Sequence, residues 1–193
     1  GVTVPTEIVD PSTTLHALRM VKTAGEVDLM RHALKITKDA HLNALKTARP
    51  GAWEYEVEAE LLRTFRAHGS VRPAYGCIVG AGSNATVLHY RANNQRLKDG
   101  DLLLIDAGCE WEYYASDITR TFPVNGSFSK PQRTLYDIVL AAQQAAIDEV
   151  KPGSTLENIH DAALEVLIEG LISVGLCQGS PQEVREQGSY RPF

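Results

Sequence analysis

The chain has 193 residues, 44% of them hydrophobic and 22% charged, enough apolar material for one domain or one and a half. That composition excludes a disordered chain, a collagen-like repeat and a disulfide-stapled miniprotein. Nineteen Lys and Arg against 24 Asp and Glu leave a net charge of −5 without a basic cluster, which argues against nucleic acid or an anionic membrane as partner.

Cys77, Cys109 and Cys177 lack C-x-x-C spacing, so a disulfide framework or zinc knuckle is not expected and a reducing, cytoplasmic compartment is. No apolar run reaches membrane-spanning length, and no signal-like segment opens the chain.

In chain order, the first helical period follows Thr23-x-x-Glu26, the pattern of a capping box. It places Val27, Met30, Leu34, His41 and Leu45 on one face. Ala48-Arg49-Pro50-Gly51 stops that helix, and a second carries Val57, Leu61, Leu62 and Phe65. The acidic residues Glu54, Glu56, Glu58 and Glu60 open the second helix, where they complement its dipole and are expected to face solvent.

The period then switches to strands over residues 75–80, 86–90, 102–106 and 118–124, separated by turn formers. Within this region 80–85 fits G-x-G-x-x-A, but a strand rather than a helix is expected next, which argues against dinucleotide binding.

Ser129-x-x-Gln132 opens a third helix with Leu135, Ile138, Val139, Ala142 and Ala146 on one face. Val150-Lys151-Pro152-Gly153 then repeats the earlier stop, its proline 102 residues after Pro50. Ser154-x-x-Glu157 opens a fourth helix that ends near Gly175. The pattern predicts an α+β protein with an internal repeat of a helix pair plus strands. Residues 1–22 read as a lead-in, 23–126 as the first repeat and 127–193 as a second repeat lacking its strands.

The chemistry concentrates in the strands. Asp106 ends the apolar run Leu102 to Ile105, so its carboxylate needs a cation or strong donors. Asp117 follows eleven residues later, where a hairpin would bring it alongside. Two converging carboxylates repel unless positive charge lies between them, and one or two divalent metals supply it economically. Spacing alone leaves turn or capping roles open for both aspartates, and a structural role open for His89.

Taken together, Ile78-Val79-Gly80-x-Gly82-x-Asn84, Leu88-His89-Tyr90, Asp99-Gly100-Asp101, Ile105-Asp106-Ala107-Gly108-Cys109-Glu110 and the run from Ser116 to Gly126 resemble the catalytic domain of the Xaa-Pro aminopeptidase (aminopeptidase P) family. This family shares the duplicated pita-bread fold with prolidase, methionine aminopeptidase and creatinase. The resemblance runs from about Thr23 to Phe193.

It implies that Asp106 chelates one metal, that Asp117 bridges two, and that His89 contacts substrate and stabilises a tetrahedral intermediate. It implies that Tyr75 and Thr119 hydrogen-bond the ligating carboxylates. Two divalent cations, manganese above all, would share a hydroxide that cleaves the bond preceding a second-position proline in a peptide. The remaining ligands, one His and two Glu, and the family's small N-terminal domain have no counterpart in these 193 residues, so little or no peptidase activity is expected of the chain alone. Prolidase-type cleavage of dipeptides or a non-catalytic binding role are the alternatives, and self-association stays open. Tyr90, where Gly is expected, argues against methionine aminopeptidase.

Overall fold

The computed structural model describes residues 9–193. Of the lead-in read over 1–22, residues 1–8 lie outside the described residues, and the remainder contains α1 (Ser12–Met20), which buries no side chain.

Helix α2 (Ala24–Thr47) starts as expected: the Thr23 N–H donates to Glu26 at 2.7 Å and the Glu26 N–H donates to the Thr23 hydroxyl at 3.3 Å. Its buried stripe is Ala33, Ile36, Thr37, Ala40 and Ala44. The larger Leu34 and Leu45 of the expected face are exposed. The physical reason is proximity, because small side chains let α2 lie close against its neighbours. Helix α3 (Glu54–Ala67) follows the Pro50-Gly51 stop and contributes Val57, Leu61 and Phe65 to the shared core.

Six strands follow: β1 (Arg72–Pro73), β2 (Ile78–Ala81), β3 (Leu102–Ala107), β4 (Cys109–Trp111), β5 (Tyr114–Ala115) and β6 (Ile118–Pro123). They form two antiparallel three-stranded sheets, β2-β3-β6 and β1-β4-β5. The central strand β3 alternates in burial, with Leu103, Ile105 and Ala107 inside. The first expected strand is shorter than its pattern, leaving Tyr75 outside it.

The strand expected over 86–90 does not form. Residues Gly82–Thr86 make a 3₁₀ turn, closed by hydrogen bonds from Val87 N–H to the Asn84 carbonyl and from the Thr86 hydroxyl to the Ser83 carbonyl. His89 then adopts φ +55°, which extended backbone cannot accommodate. Gly80 permits this turn, since a Cβ there would meet the Asn84 carbonyl oxygen at 2.8 Å.

The chain divides into two compact units, one through Ser127 and one from Phe128. The second contains α4 (Lys130–Asp148), α5 (Leu156–Ser173) and α6 (Pro181–Gln187). Gly170 lets α5 press on α4, because a Cβ there would meet Ile138 Cγ2 at 2.3 Å. The capping box of α5 is Thr155 with Asn158, one residue beyond the expected Ser154-Glu157 pair. The Ser154 hydroxyl instead donates to Glu149 at 3.0 Å. Helix α6 was not expected from periodicity, being too short to show one; Ser180 and Glu183 cap it, and it buries Val184.

Among the described residues no helix is long and apolar enough to cross a membrane. Cys77, Cys109 and Cys177 are free and buried.

Candidate metal centre

Antiparallel pairing of β3 with β6 sets Asp106 opposite Thr119, so Asp117 enters just ahead of the partner strand. The ten intervening residues detour through the β4–β5 hairpin, which belongs to the other sheet. The detour closes tightly. A Cβ on Gly108 would lie 1.7 Å from the Ser116 carbonyl oxygen, so only glycine lets the outgoing and returning backbone cross there.

A buried hydroxyl pair locks this crossing. The Thr37 and Ser116 hydroxyls lie 2.7 Å apart, and the Cys109 N–H donates to both at 3.0 Å. The Ser116 hydroxyl also donates to the Cys109 carbonyl at 2.8 Å. Asp117, adjacent to Ser116, is exposed but attached to a fixed backbone.

The two aspartates converge on one phenol. The Tyr75 hydroxyl lies 2.5 Å from Asp106 Oδ1 and 2.7 Å from Asp117 Oδ1. It carries a single proton, so it can donate fully to only one carboxylate at a time. Burial, and then the two neighbouring carboxylates, push the phenol's pKa far up and keep it protonated. Neither aspartate has an ion-pair partner among the described residues. The result is two acidic groups sharing one neutral donor, an arrangement short of positive charge.

Thr119 lies opposite Asp106 in register, but its hydroxyl makes no hydrogen bond to either carboxylate among the described residues. His89 is exposed on the loop after the 3₁₀ turn and makes no hydrogen bond there, so its ring nitrogens are free for an external partner. His41, read from the sequence as a core-facing helix position, lies beneath β3 with Nε2 3.2 Å from the Ala107 carbonyl. Burial lowers its pKa, favouring the neutral ring.

Two residues around the loop escaped the sequence reading. Asn93 is buried and bridges two backbone groups, accepting from Val79 N–H at 3.0 Å and donating to the Cys77 carbonyl at 3.0 Å. Glu54 is fully buried and not solvent-facing, and its two oxygens accept from Ala81 N–H, Asn84 Nδ2, the Tyr90 hydroxyl and Gln95 N–H. The only signal for Asn93 is its residue type, tolerant of its φ of +44°. For Glu54 the acidic run around it concealed any signal.

Asp106 and Asp117 offer hard oxygen donors of the kind divalent cations take. The described residues contain no group of three or more His, Cys, Asp or Glu that could hold a metal ion. The donor set therefore fits a cation but supplies only part of a coordination shell.

Comparison with known proteins places the chain in a family. The profile of metallopeptidase family M24 matches residues 28–191. Xaa-Pro aminopeptidase of Haemophilus influenzae is 45% identical over 97% of this chain, and that of Escherichia coli is 40% identical over all of it. In each case the match spans 44% of the relative. Aminopeptidase PepP of Pseudomonas aeruginosa superposes with a TM-score of 0.96 at 47% identity, covering 99% of this chain and 43% of that one. Zinc-substituted E. coli aminopeptidase P in complex with product gives 0.95 at 40% identity, with the same coverage.

The chain belongs to metallopeptidase family M24, and its fold is that of the matching part of the aminopeptidase P pita-bread structure. It spans less than half the length of these relatives.

Proposed function

We propose that this segment contributes two carboxylate ligands to the metal centre of an aminopeptidase that releases an N-terminal residue preceding proline. The observation that carries the reading is the convergence of Asp106 and Asp117 on one phenolic proton without a compensating cation. Manganese, favoured by hard oxygen donors, is the cation proposed. When bound, a pair of divalent cations lowers the pKa of water from about 15.7 towards 7, making water a competent nucleophile near neutral pH.

The chain's own residues hold and orient. Asp106 and Asp117 would hold the cations. Tyr75 fixes the carboxylate oxygens it touches, and Thr119, opposite Asp106, is proposed to assist when the site is filled. His89, exposed and free to donate, stabilises the oxyanion that develops on the scissile carbonyl. The supporting Gly108–Ser116 crossing keeps Asp117 in place relative to Asp106. Residues 127–193 are read as the beginning of a second structural repeat. Free, buried cysteines support a cytoplasmic location.

Two carboxylates without further ligands bind weakly, so the 193-residue chain by itself is expected to show little peptidase activity. Titration with Mn²⁺ tests the site. Weak binding that Asp106→Asn abolishes supports it, whereas binding unchanged by Asp106→Asn or Asp117→Asn refutes it. Activity is tested with the same segment carried in a chain of the relatives' length. Manganese-dependent cleavage of Xaa-Pro peptides supports the reading. Cleavage confined to dipeptides ending in proline would favour a prolidase, and no cleavage would favour a binding protein.

A further inference from the structure

A carboxylate with no exposed surface normally requires a cation, because an unpaired buried charge is strongly destabilising. Glu54 is fully buried, yet it forms no ion pair among the described residues. It is satisfied by four donors, two on each oxygen. Oε1 accepts from Ala81 N–H at 2.9 Å and Asn84 Nδ2 at 3.0 Å. Oε2 accepts from the Tyr90 hydroxyl at 2.8 Å and Gln95 N–H at 2.9 Å. All four acceptor sites of a carboxylate are thereby used.

The donors are not scattered. They come from the end of β2, the 3₁₀ turn, and both sides of the loop that carries His89. Asn84 and Tyr90 bracket His89 in sequence, and a hydrogen bond between their side chains, 3.0 Å long, closes the bracket. The Glu54 N–H also donates to the Gln95 carbonyl at 3.0 Å, so helix α3 holds residue 95 from both directions. His89 itself is exposed, with no hydrogen bond of its own and with a φ of +55° that a non-glycine residue adopts only when its surroundings impose it.

We infer that Glu54 is a positioning residue: its carboxylate clamps the 81–95 loop and thereby fixes the backbone that presents His89. A charged acceptor suits the task because its hydrogen bonds are about twice as strong as neutral ones. Replacing one oxygen by an amide N–H turns an acceptor into a donor. Glu54→Gln therefore retains shape while leaving Gln95 N–H or Ala81 N–H without its partner. The catalytic consequence rests on the function proposed above; the conformational one does not.

Hydrogen exchange on the 193-residue chain tests the clamp directly. In Glu54→Gln, amide protection across residues 81–95 should fall at least tenfold while α2, α4 and α5 keep theirs. Tyr90→Phe removes one donor and leaves the carboxylate intact, so it should produce a smaller loss in the same segment. Unchanged protection over 81–95 in both variants, or an equal loss everywhere, would overturn the clamp.

The catalytic arm uses the longer chain with measured Xaa-Pro peptidase activity. Glu54→Gln should lower kcat about 10–100-fold, the usual range for partners that orient a site, with KM within twofold. In a His89→Ala background the same substitution should have almost no further effect. Additive losses would mean that Glu54 does not act through His89. If no peptidase activity is found at all, the proposed function fails while the exchange result still decides the clamp.

Discussion

At single residues, the largest effects come from groups that geometry leaves no freedom. Gly108 is one: a methyl there overlaps the Ser116 carbonyl, and backbone rather than a flexible side chain must yield. Gly108→Ala should destabilise the protein by about 3 kcal/mol, at the upper end of overpacking effects, and weaken Mn²⁺ binding through Asp117. Urea denaturation and Mn²⁺ titration of the same variant check both.

Glu26 gives a separate pH prediction. The Tyr114 hydroxyl, then the Thr23 N–H and hydroxyl, hold its carboxyl at about 2, down from 4.5. A depressed folded pKa contributes stability that is present above the unfolded value. That contribution is lost as pH falls from about 4.5 through about 2. Glu26→Gln should flatten this part of the acid stability profile, and identical profiles for the two proteins would contradict the assignment.

Elements show how locally legible starts can be misread by one residue. Thr155, not Ser154, caps α5, because its extended backbone aims the hydroxyl at the Asn158 N–H. Thr155→Ala should cost about 1 kcal/mol, the usual value of a cap, and Ser154→Ala distinctly less. Thermal melts of the two variants separate them. The same scale explains the failed strand at 86–90. Its β-branched and aromatic residues favour extension locally, but Glu54 recruits that stretch into a loop through the Tyr90 hydroxyl. The Glu54 contacts span long stretches of sequence, 36 residues to Tyr90 and 41 to Gln95. A window of ten residues contains no trace of them.

Across the whole molecule, the two compact units differ in what holds them together. Among the described residues the first has a contiguous core of 17 buried residues, from Ala33 and Ile36 through Phe65 to Leu103, Ile105 and Val124. The second relies on Leu164, Ile168, Cys177 and Val184. A small core leaves little surplus over conformational entropy. Residues 128–193 should therefore lose exchange protection at lower urea than α2 and β3, giving two transitions. A single transition common to both units would refute this.

Local patterning was enough to place the helix pairs, β3 and β6, and to show the family motifs that single out Asp106, Asp117 and His89. These signals are local: apolar period, caps, Pro-Gly stops and residue spacing within a hairpin's reach. The Tyr75 contact with the carboxylates was implied by the family resemblance, but the crossing of Gly108 with Ser116 and the burial of Glu54 beneath the His89 loop emerge only in three dimensions. Each of those depends on groups far apart in the chain meeting at hydrogen-bond or van der Waals distance. The physical reason is that a carboxylate at a helix start looks the same in sequence whether water or four protein donors solvate it.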